Sequence, residues 1–335
     1  MPPKDGKASN PPAARVTATP SGDPKTSSEA LQRVGGGEAI PTRVSVNRTY
    51  KMFVGGAFVR SESGRYVQTR DANETESPDP ITVNVPRGSR KDARDAVLAA
   101  KNAQPGWAAR TAYNRGQIVY RLAEMMEGRR LEFVASLERG GLAHAAAARE
   151  IDAAVDRAVY YAGFADKFQA LLASSNPVSG PHFGFSVPDP MGIVAVVAPQ
   201  RPVLLGLIST VLPAIVSGNT VVVVASPADP RSAVVLCECL ATSDLPGGVV
   251  NLLTGDAAEI APHLCKHREV AGVLAFTEDV VLARAMARDA VGSVKRFHAE
   301  PPLDAGAWTL DGVGQGLGWI ERHLEIKTIW HPVGV

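Results

Sequence analysis

The sequence predicts an α/β protein built on a parallel sheet of the nucleotide-binding type. Two observations after Pro190 carry this prediction: short, uninterrupted apolar runs, and amphipathic stretches with helix-capping signals that separate those runs. Parallel strands are buried on both faces and therefore form continuous apolar runs, and helices joining them give right-handed crossovers. We expect an open, Rossmann-like sheet flanked by helices.

The region before Pro190 predicts a smaller β element followed by helices. Two apolar runs flank Gly55-Gly56 within residues 50–59, which is typical of a hairpin, and a second strand pair includes Ile81 to Val85. Ser89 is placed to cap a helix through about residue 103, and Thr111 or Asn114 a longer one. A further helix is expected over residues 145–172, with these residues on its inner side: Ile151, Val155, Val159 and Phe164.

After Pro190 the pattern alternates between strand and helix. The buried strands are expected at residues 192–198, 220–225, 249–253 and 272–276. The helices between and after them are expected at residues 203–216, at 231–242, after Asp256, and at 279–289.

Composition excludes several function classes. The 335 residues carry a formal net charge of +1 and are 45% hydrophobic, which indicates a globular chain and no electrostatic footprint for nucleic acid. No apolar stretch indicates a signal peptide or membrane span, so we expect no membrane partner and a cytoplasmic location. Residues 1–45 are rich in Pro, Ser, Ala and Gly and are expected to be a disordered tail or, alternatively, a docking arm.

The three cysteines do not form a metal site. Cys237, Cys239 and Cys265 lack the spacing of a zinc motif, so no metal is expected. We interpret them as small buried hydrophobic residues. Cys265, beside Lys266 and His267, is the one position where a reactive thiol is a considered alternative.

Several motifs together resemble the aldehyde dehydrogenase superfamily, and their order along the chain supports the resemblance. The motifs are Phe53-Val54-Gly55-Gly56, Pro190-Met191-Gly192-Ile193-Val194, Gly218-Asn219-Thr220-Val221-Val222, Leu245-Pro246-Gly247-Gly248-Val249-Val250-Asn251, Phe276-Thr277 and Gly312-Val313-Gly314-Gln315-Gly316 with Leu324-Glu325-Ile326-Lys327-Thr328-Ile329-Trp330. The resemblance implies a nucleotide-binding domain over residues 46–300 and a terminal oligomerisation arm over residues 312–335. Residues 301–311 stand where the family has its catalytic domain, and they are too few to form a domain.

The resemblance also locates the family's functional positions, and most of them are altered here. Its oxyanion asparagine corresponds to Arg201, its general-base glutamate to Glu300, and none of the cysteines aligns with its nucleophile. We therefore predict no catalytic residues, with Glu300 and Arg201 as vestigial positions.

The family's cofactor positions are altered as well. Its ribose-binding lysine and glutamate correspond to Val224 and Pro227, which cannot hydrogen-bond a hydroxyl. Its phosphate-facing Gly-Ser corresponds to Glu278-Asp279, two carboxylates that repel a phosphate and can bind the helix amides themselves. No cofactor is expected. NAD remains the alternative, and Ser226 and Thr277 are then the remaining residues that could contact it.

These observations favour a non-catalytic subunit, a pseudoenzyme, that assembles with a full-length aldehyde dehydrogenase as a homo- or hetero-oligomer. The alternating residues from Leu324 to Trp330 suit an edge strand, and we expect that edge and the uncovered sheet face to be open in a monomer. The alternatives are an NAD-dependent oxidoreductase completed by a partner chain, a decayed product without function, and a binding module for another nucleotide.

Overall fold

The strands and helices follow the predicted alternation. The structure, a computed structural model, describes residues 48–72 and 82–334; the predicted tail, residues 1–45, and Ile81 lie outside this part. Up to residue 190 the elements are β1 Met52–Val54, β2 Ala57–Val59, β3 Tyr66–Arg70, β4 Thr82–Pro86, α1 Arg90–Ala108, α2 Ala112–Gly128, α3 Arg130–Arg139, α4 His144–Phe164, α5 Phe168–Leu172, β5 Ser174–Asn176 and β6 His182–Pro190.

The remainder of the chain alternates strand and helix before a short terminal segment. Its elements are β7 Ile193–Val197, α6 Leu205–Val216, β8 Thr220–Val224, α7 Pro230–Ala241, β9 Val250–Leu253, α8 Ala257–Lys266, β10 Val270–Phe276, α9 Val280–Val291, β11 Arg296–Glu300, a 3-10 turn Ala307–Thr309, α10 Leu317–Glu321 and β12 Leu324–Pro332.

The central sheet has the order β11-β10-β7-β8-β9-β1-β2. Its first five strands are parallel, and the hairpin β1–β2 extends it because β1 pairs antiparallel with β9. Gly55 and Gly56 form the hairpin turn with φ of 63° and 85°, which is the left-handed region that glycine adopts without strain. This topology confirms the predicted α/β class.

The sheet is buried on both faces, which explains its continuous valine runs. Val194, Val196 and Val221 face one cluster, which includes residues of α2 to α7, whereas Ile193 and Val222 face a second cluster with α1, α8 and α9. Alternate side chains of one strand point to opposite faces. A strand covered on both sides therefore lacks the alternation of polar and apolar residues that a half-exposed strand has.

Helix starts agree with the capping signals. Ser89 caps α1 in a capping box with Asp92, and Thr111 rather than Asn114 caps α2. The predicted helix over residues 145–172 is instead two helices, α4 and α5, separated at residues 165–167. Gly163 is a weak helix former, and Lys167 donates to its carbonyl oxygen, which favours a turn there.

The inner face of α4 also differs from the prediction. Ile151, Ala154, Ala158 and Tyr161 are fully buried, whereas Val159 is 42% exposed, so its placement on the inner face was wrong. The buried stripe has the spacing of three and four residues that one helix face requires. It shares Ile151 with the prediction and then lies one residue before Val155 and Val159, at Ala154 and Ala158.

The terminal segment covers the sheet face that we expected to be open, so that expectation was wrong. Trp308 and Trp319 are buried and pack with Phe276, the last residue of β10, at ring-centroid distances of 5.3 and 6.1 Å. Ile320 and Leu324 join the same hydrophobic cluster. Residues 301–323 therefore add a few buried side chains to the hydrophobic core at the place where the resemblance implied a missing domain.

Arg157 fixes this segment to the helical layer. It lies on α4, is 3% exposed, and donates to the carbonyl oxygens of Trp308 and Gly314, to the side chain of Gln315 at 2.8 Å, and to Ser209. All of these acceptors are uncharged oxygens, and burial lowers the pKa of the guanidinium. Hydrogen bonds to a buried charged group are stronger than average and costly to lose.

The terminal strand pairs within its own chain. All nine residues of β12 pair antiparallel with β6, from Leu324 opposite Pro190 to Pro332 opposite His182. In the described part of the chain β12 is the outer strand of the three-stranded sheet β12-β6-β5. Its edge away from β6 pairs with no described strand, and apart from Leu324 its residues are exposed.

Removing the buried indole should show how much the terminal segment stabilises the fold. Trp308→Ala is expected to lower the free energy of unfolding by about 3–5 kcal/mol, because Trp308 is fully buried. Trp330→Ala is the matched control, since Trp330 is 61% exposed, and it should change the same quantity by less than about 0.5 kcal/mol. Urea unfolding measures both; equal, small effects would contradict the assigned packing of the segment.

A buried histidine should make the stability of the fold depend on pH. Burial, followed by His298, Arg322 and Arg296, lowers the pKa of His323 from 6.5 to about 3. Between these values the unfolded chain binds a proton that the folded chain does not, so the free energy of unfolding falls as pH drops below 6.5. The slope contributed is about 1.4 kcal/mol per pH unit.

Urea unfolding between pH 6.5 and roughly 4.5 tests this, since most carboxylates stay ionised there. His323→Gln should remove this part of the slope, whereas His144→Gln, at an exposed position, should keep it. Identical slopes in all three proteins would show that His323 does not lie in the buried environment described.

Candidate functional site

The sequence-predicted site residues all follow the carboxyl ends of central strands. From β7 the chain proceeds to β8 and β9 on one side, and β10 and β11 lie on the other side of β7. Such a reversal of strand order opens a crevice at the carboxyl ends of the strands, which is where ligands bind in folds of this class. Arg201 follows β7, Ser226 follows β8, Thr277 follows β10, and Glu300 ends β11.

The backbone amides at the start of α9, beside Thr277, are bound by a side chain of the same protein. Asp279 caps α9, and one of its carboxylate oxygens accepts from the amides of Val281 and Leu282 at 2.9 and 3.0 Å. The hydroxyl of Thr277 accepts from the Asp279 amide at 3.0 Å. The first turn of a helix owes its affinity for phosphate to free amides of this kind. Asp279 therefore binds two of the amides at the start of α9 through its own carboxylate.

At the end of β8 and just after it, the positions that the resemblance assigned to ribose binding are apolar. Val224 is buried, and Pro227 has neither a backbone donor nor a polar side chain. Ser226 donates to the carbonyl oxygen of Gln200 at 3.0 Å and accepts from the amide of Ala228 at 3.1 Å. Its hydroxyl thus joins the two loops that follow β7 and β8, and its donor is occupied.

Glu300 is held in an ion pair. One carboxylate oxygen lies 3.2 Å from the guanidinium of Arg322, which also stacks over the Trp319 ring at 4.8 Å. The backbone carbonyl of Glu300 accepts from the amide of Thr277 at 3.2 Å. The terminal segment therefore pairs a cation with Glu300, the residue that the resemblance assigned to the general-base position.

Arg201 lies beside two buried acids that the sequence reasoning missed. Arg201 donates to the carbonyl oxygen of Gly140 at 3.1 Å. Burial raises the pKa of both Glu150 and Asp229, and the charge of Arg201 opposes that rise in each. Glu150 accepts from the amide of Leu204 at 2.8 Å, just before α6.

The second acid, Asp229, has a recognisable sequence signal. It caps α7 and pairs with Arg231, whose Nε lies 2.8 Å from it, and both side chains are almost fully buried. The Asp229-Pro230 pair before an apolar run is a helix-start signature and predicts the cap. Glu150 had no comparable signal, because its partners, the amides of Leu204 and Leu205, are more than fifty residues away.

The cysteine thiols are buried and protonated. Cys237, Cys239 and Cys265 have no exposed surface, and burial raises the pKa of Cys239 and of Cys265 to about 12. A thiol acts as a nucleophile only as a thiolate. The alternative of a reactive Cys265 was therefore wrong, and its placement beside Lys266 does not compensate for its burial.

Residues 48–72 and 82–334 hold neither a metal-binding cluster nor a membrane-spanning helix. Within these ranges no group of histidine, cysteine, aspartate or glutamate side chains is arranged to hold a metal ion. In the same ranges no helix combines the length and apolarity that crossing a bilayer requires.

Comparison with known proteins agrees with the geometry. The family model described as "Aldehyde dehydrogenase family" matches residues 61–302. The mitochondrial benzaldehyde dehydrogenase of Antirrhinum majus is 33% identical over 245 residues, covering 72% of this chain and 44% of that protein. The putative aldehyde dehydrogenase DhaS of Bacillus subtilis (strain 168) is 28% identical over 260 residues, covering 75% and 50%.

Solved structures give the same result. The NAD-dependent aldehyde dehydrogenase of Sinorhizobium meliloti has a TM-score of 0.69 and 25% identity, covering 76% of this chain and 50% of that one. A putative aldehyde dehydrogenase of Burkholderia cenocepacia has a TM-score of 0.71 at 24% identity, with 76% and 51% covered. The chain thus spans about half the length of these relatives. With a family model matched over most of its length, the chain belongs to the aldehyde dehydrogenase family.

Proposed function

We propose that this chain is a non-catalytic member of its family, which assembles with an active aldehyde dehydrogenase as a structural or regulatory subunit. The observation that carries the proposal is the set of bonds at the crevice: Asp279 binds the amides of α9, and Arg322 pairs with Glu300. Groups that a cofactor or substrate would need are bound to other groups of the same chain.

The loss of chemistry supports the same proposal. The family reaction needs a thiolate nucleophile and a carboxylate free to activate water. The cysteines here are buried, and Glu300 is paired with a cation. NAD does not fit the residues present, because Glu278 and Asp279 bring negative charge to the phosphate position, and Val224 and Pro227 offer no donor for a ribose. We propose that no cofactor binds and that the protein is cytoplasmic.

Assembly is supported by the outer strand. The backbone edge of β12 is unpaired in the described part of the chain, and three apolar side chains on this strand are exposed. They are Ile326, Ile329 and Trp330, at 55%, 37% and 61% exposure. An unpaired edge with apolar side chains is suited to β-strand addition by a partner chain.

Purification of the tagged chain from the cells that express it should recover an aldehyde dehydrogenase in fixed ratio. The double variant Ile326→Asp/Trp330→Asp is expected to reduce that recovery at least about tenfold, because charges would be buried at the interface. Leu98→Asp/Leu131→Asp is the matched control, since both leucines are exposed on helices away from β12. Native mass measurement gives the ratio, and recovery of the wild-type chain alone would contradict the proposal.

The same complex distinguishes a regulatory subunit from one that shares an active site. Glu300→Gln in this chain should leave the aldehyde-dependent NADH formation of the complex unchanged, because Glu300 has no role in the partner's chemistry. An NAD-dependent oxidoreductase completed by a partner chain would instead lose most of its activity, since general-base catalysis typically contributes about 10²–10⁴-fold. The purified chain alone should form no NADH, either as the wild type or as Glu300→Gln.

A further inference from the structure

A groove between α1 and α8 is lined by basic side chains. Its volume is about 830 Å³, and its lining residues are Arg90, Lys91, Arg94, His263, Lys266 and His267. The first three lie in the first turns of α1, and the others lie in the last turn of α8 or cap its end. None of the six follows the carboxyl end of β7, β8 or β10, so the groove is separate from the crevice already described.

The acids around the groove neutralise only part of this charge. Lys91 pairs with Glu62, Arg94 with Asp95 at 2.8 Å, and Lys266 with Asp289 at 3.3 Å. Glu62 and Asp95 are about half exposed, whereas Asp289 is 19% exposed, and ion pairs between exposed side chains are weak. The cations can therefore turn from these partners towards an anion in the groove.

His263 lies close to one lining cation from each helix. Burial lowers the pKa of His263, and the charges of Arg90 and Lys266 lower it further, against opposing effects of Glu259 and Asp289. Burial also lowers the pKa of His267, Glu269 opposes this, and the cations that act on it, Lys295 and Lys101, lie outside the groove lining. The positive charges of two helices thus converge on a shared volume.

We propose that this groove binds a small multivalent anion of the phosphate class. Two arginines offer planar donor forks that match phosphate oxygens, and Lys91 and Lys266 add point charges from either helix. The volume lies in the range of small-ligand sites, roughly 300–1,000 Å³, and is wide enough for a nucleotide-sized molecule.

Calorimetric titration of the full chain with inorganic pyrophosphate at physiological salt tests the proposal. Saturable binding at one site per chain is expected, and Arg90→Ala/Lys266→Ala should weaken it at least about tenfold by removing one cation from each helix. Arg121→Ala/Lys167→Ala is the matched control: it removes two exposed, ion-paired cations outside the groove and should change the affinity less than about twofold.

A parallel titration with ATP separates the sources of the phosphate. Equal affinity for both probes supports a site that binds the phosphate group alone, and tighter binding of ATP supports a nucleotide site. Thermal unfolding of both double variants establishes that they are folded. Absence of saturable pyrophosphate binding, or equal weakening by both double variants, would overturn the proposal, because the second result indicates only a general effect of net charge.

Discussion

The buried guanidinium of Arg157 is the contact on which the architecture after β11 depends. A cation with 3% exposure must have its donors satisfied, and here the acceptors are the carbonyl oxygens of Trp308 and Gly314 and the side chains of Gln315 and Ser209. Because three of these acceptors belong to one short segment, that segment is fixed against α4. The indoles of Trp308 and Trp319 can then pack on Phe276. A short segment thus covers this part of the sheet without forming a domain.

This covering has direct consequences for chemistry at the crevice. The segment that buries Trp308 and Trp319 also brings Arg322 within 3.2 Å of Glu300, so packing and charge neutralisation have the same origin. At the neighbouring strand, Asp279 binds two amides of α9 through its own carboxylate. A fold of the nucleotide-binding type is therefore stabilised here by contacts within the chain, at the positions where relatives of this class commonly bind a ligand.

Sequence patterns predicted the sheet well because local signals determine it. The valine run of β8 and the capping box at Ser89 depend on residues close in sequence, and so does the cap at Asp279. The contacts of Arg157 and of Glu150 join residues far apart in the chain, which no periodicity reveals. For the same reason the sheet face was expected to be open, since residues 301–323 give no local signal of where they pack.

Hydrogen–deuterium exchange with and without saturating NAD⁺ tests the central claim most directly, namely that the crevice is occupied by the chain's own groups. Peptides covering residues 277–283 and 303–320 report on the cap of α9 and on the tryptophan segment. We expect NAD⁺ to leave exchange in both peptides unchanged, because Asp279 already binds the amides of Val281 and Leu282. Slower exchange in both peptides on adding NAD⁺ would contradict the account, since it would require the cofactor to replace Asp279 at those amides.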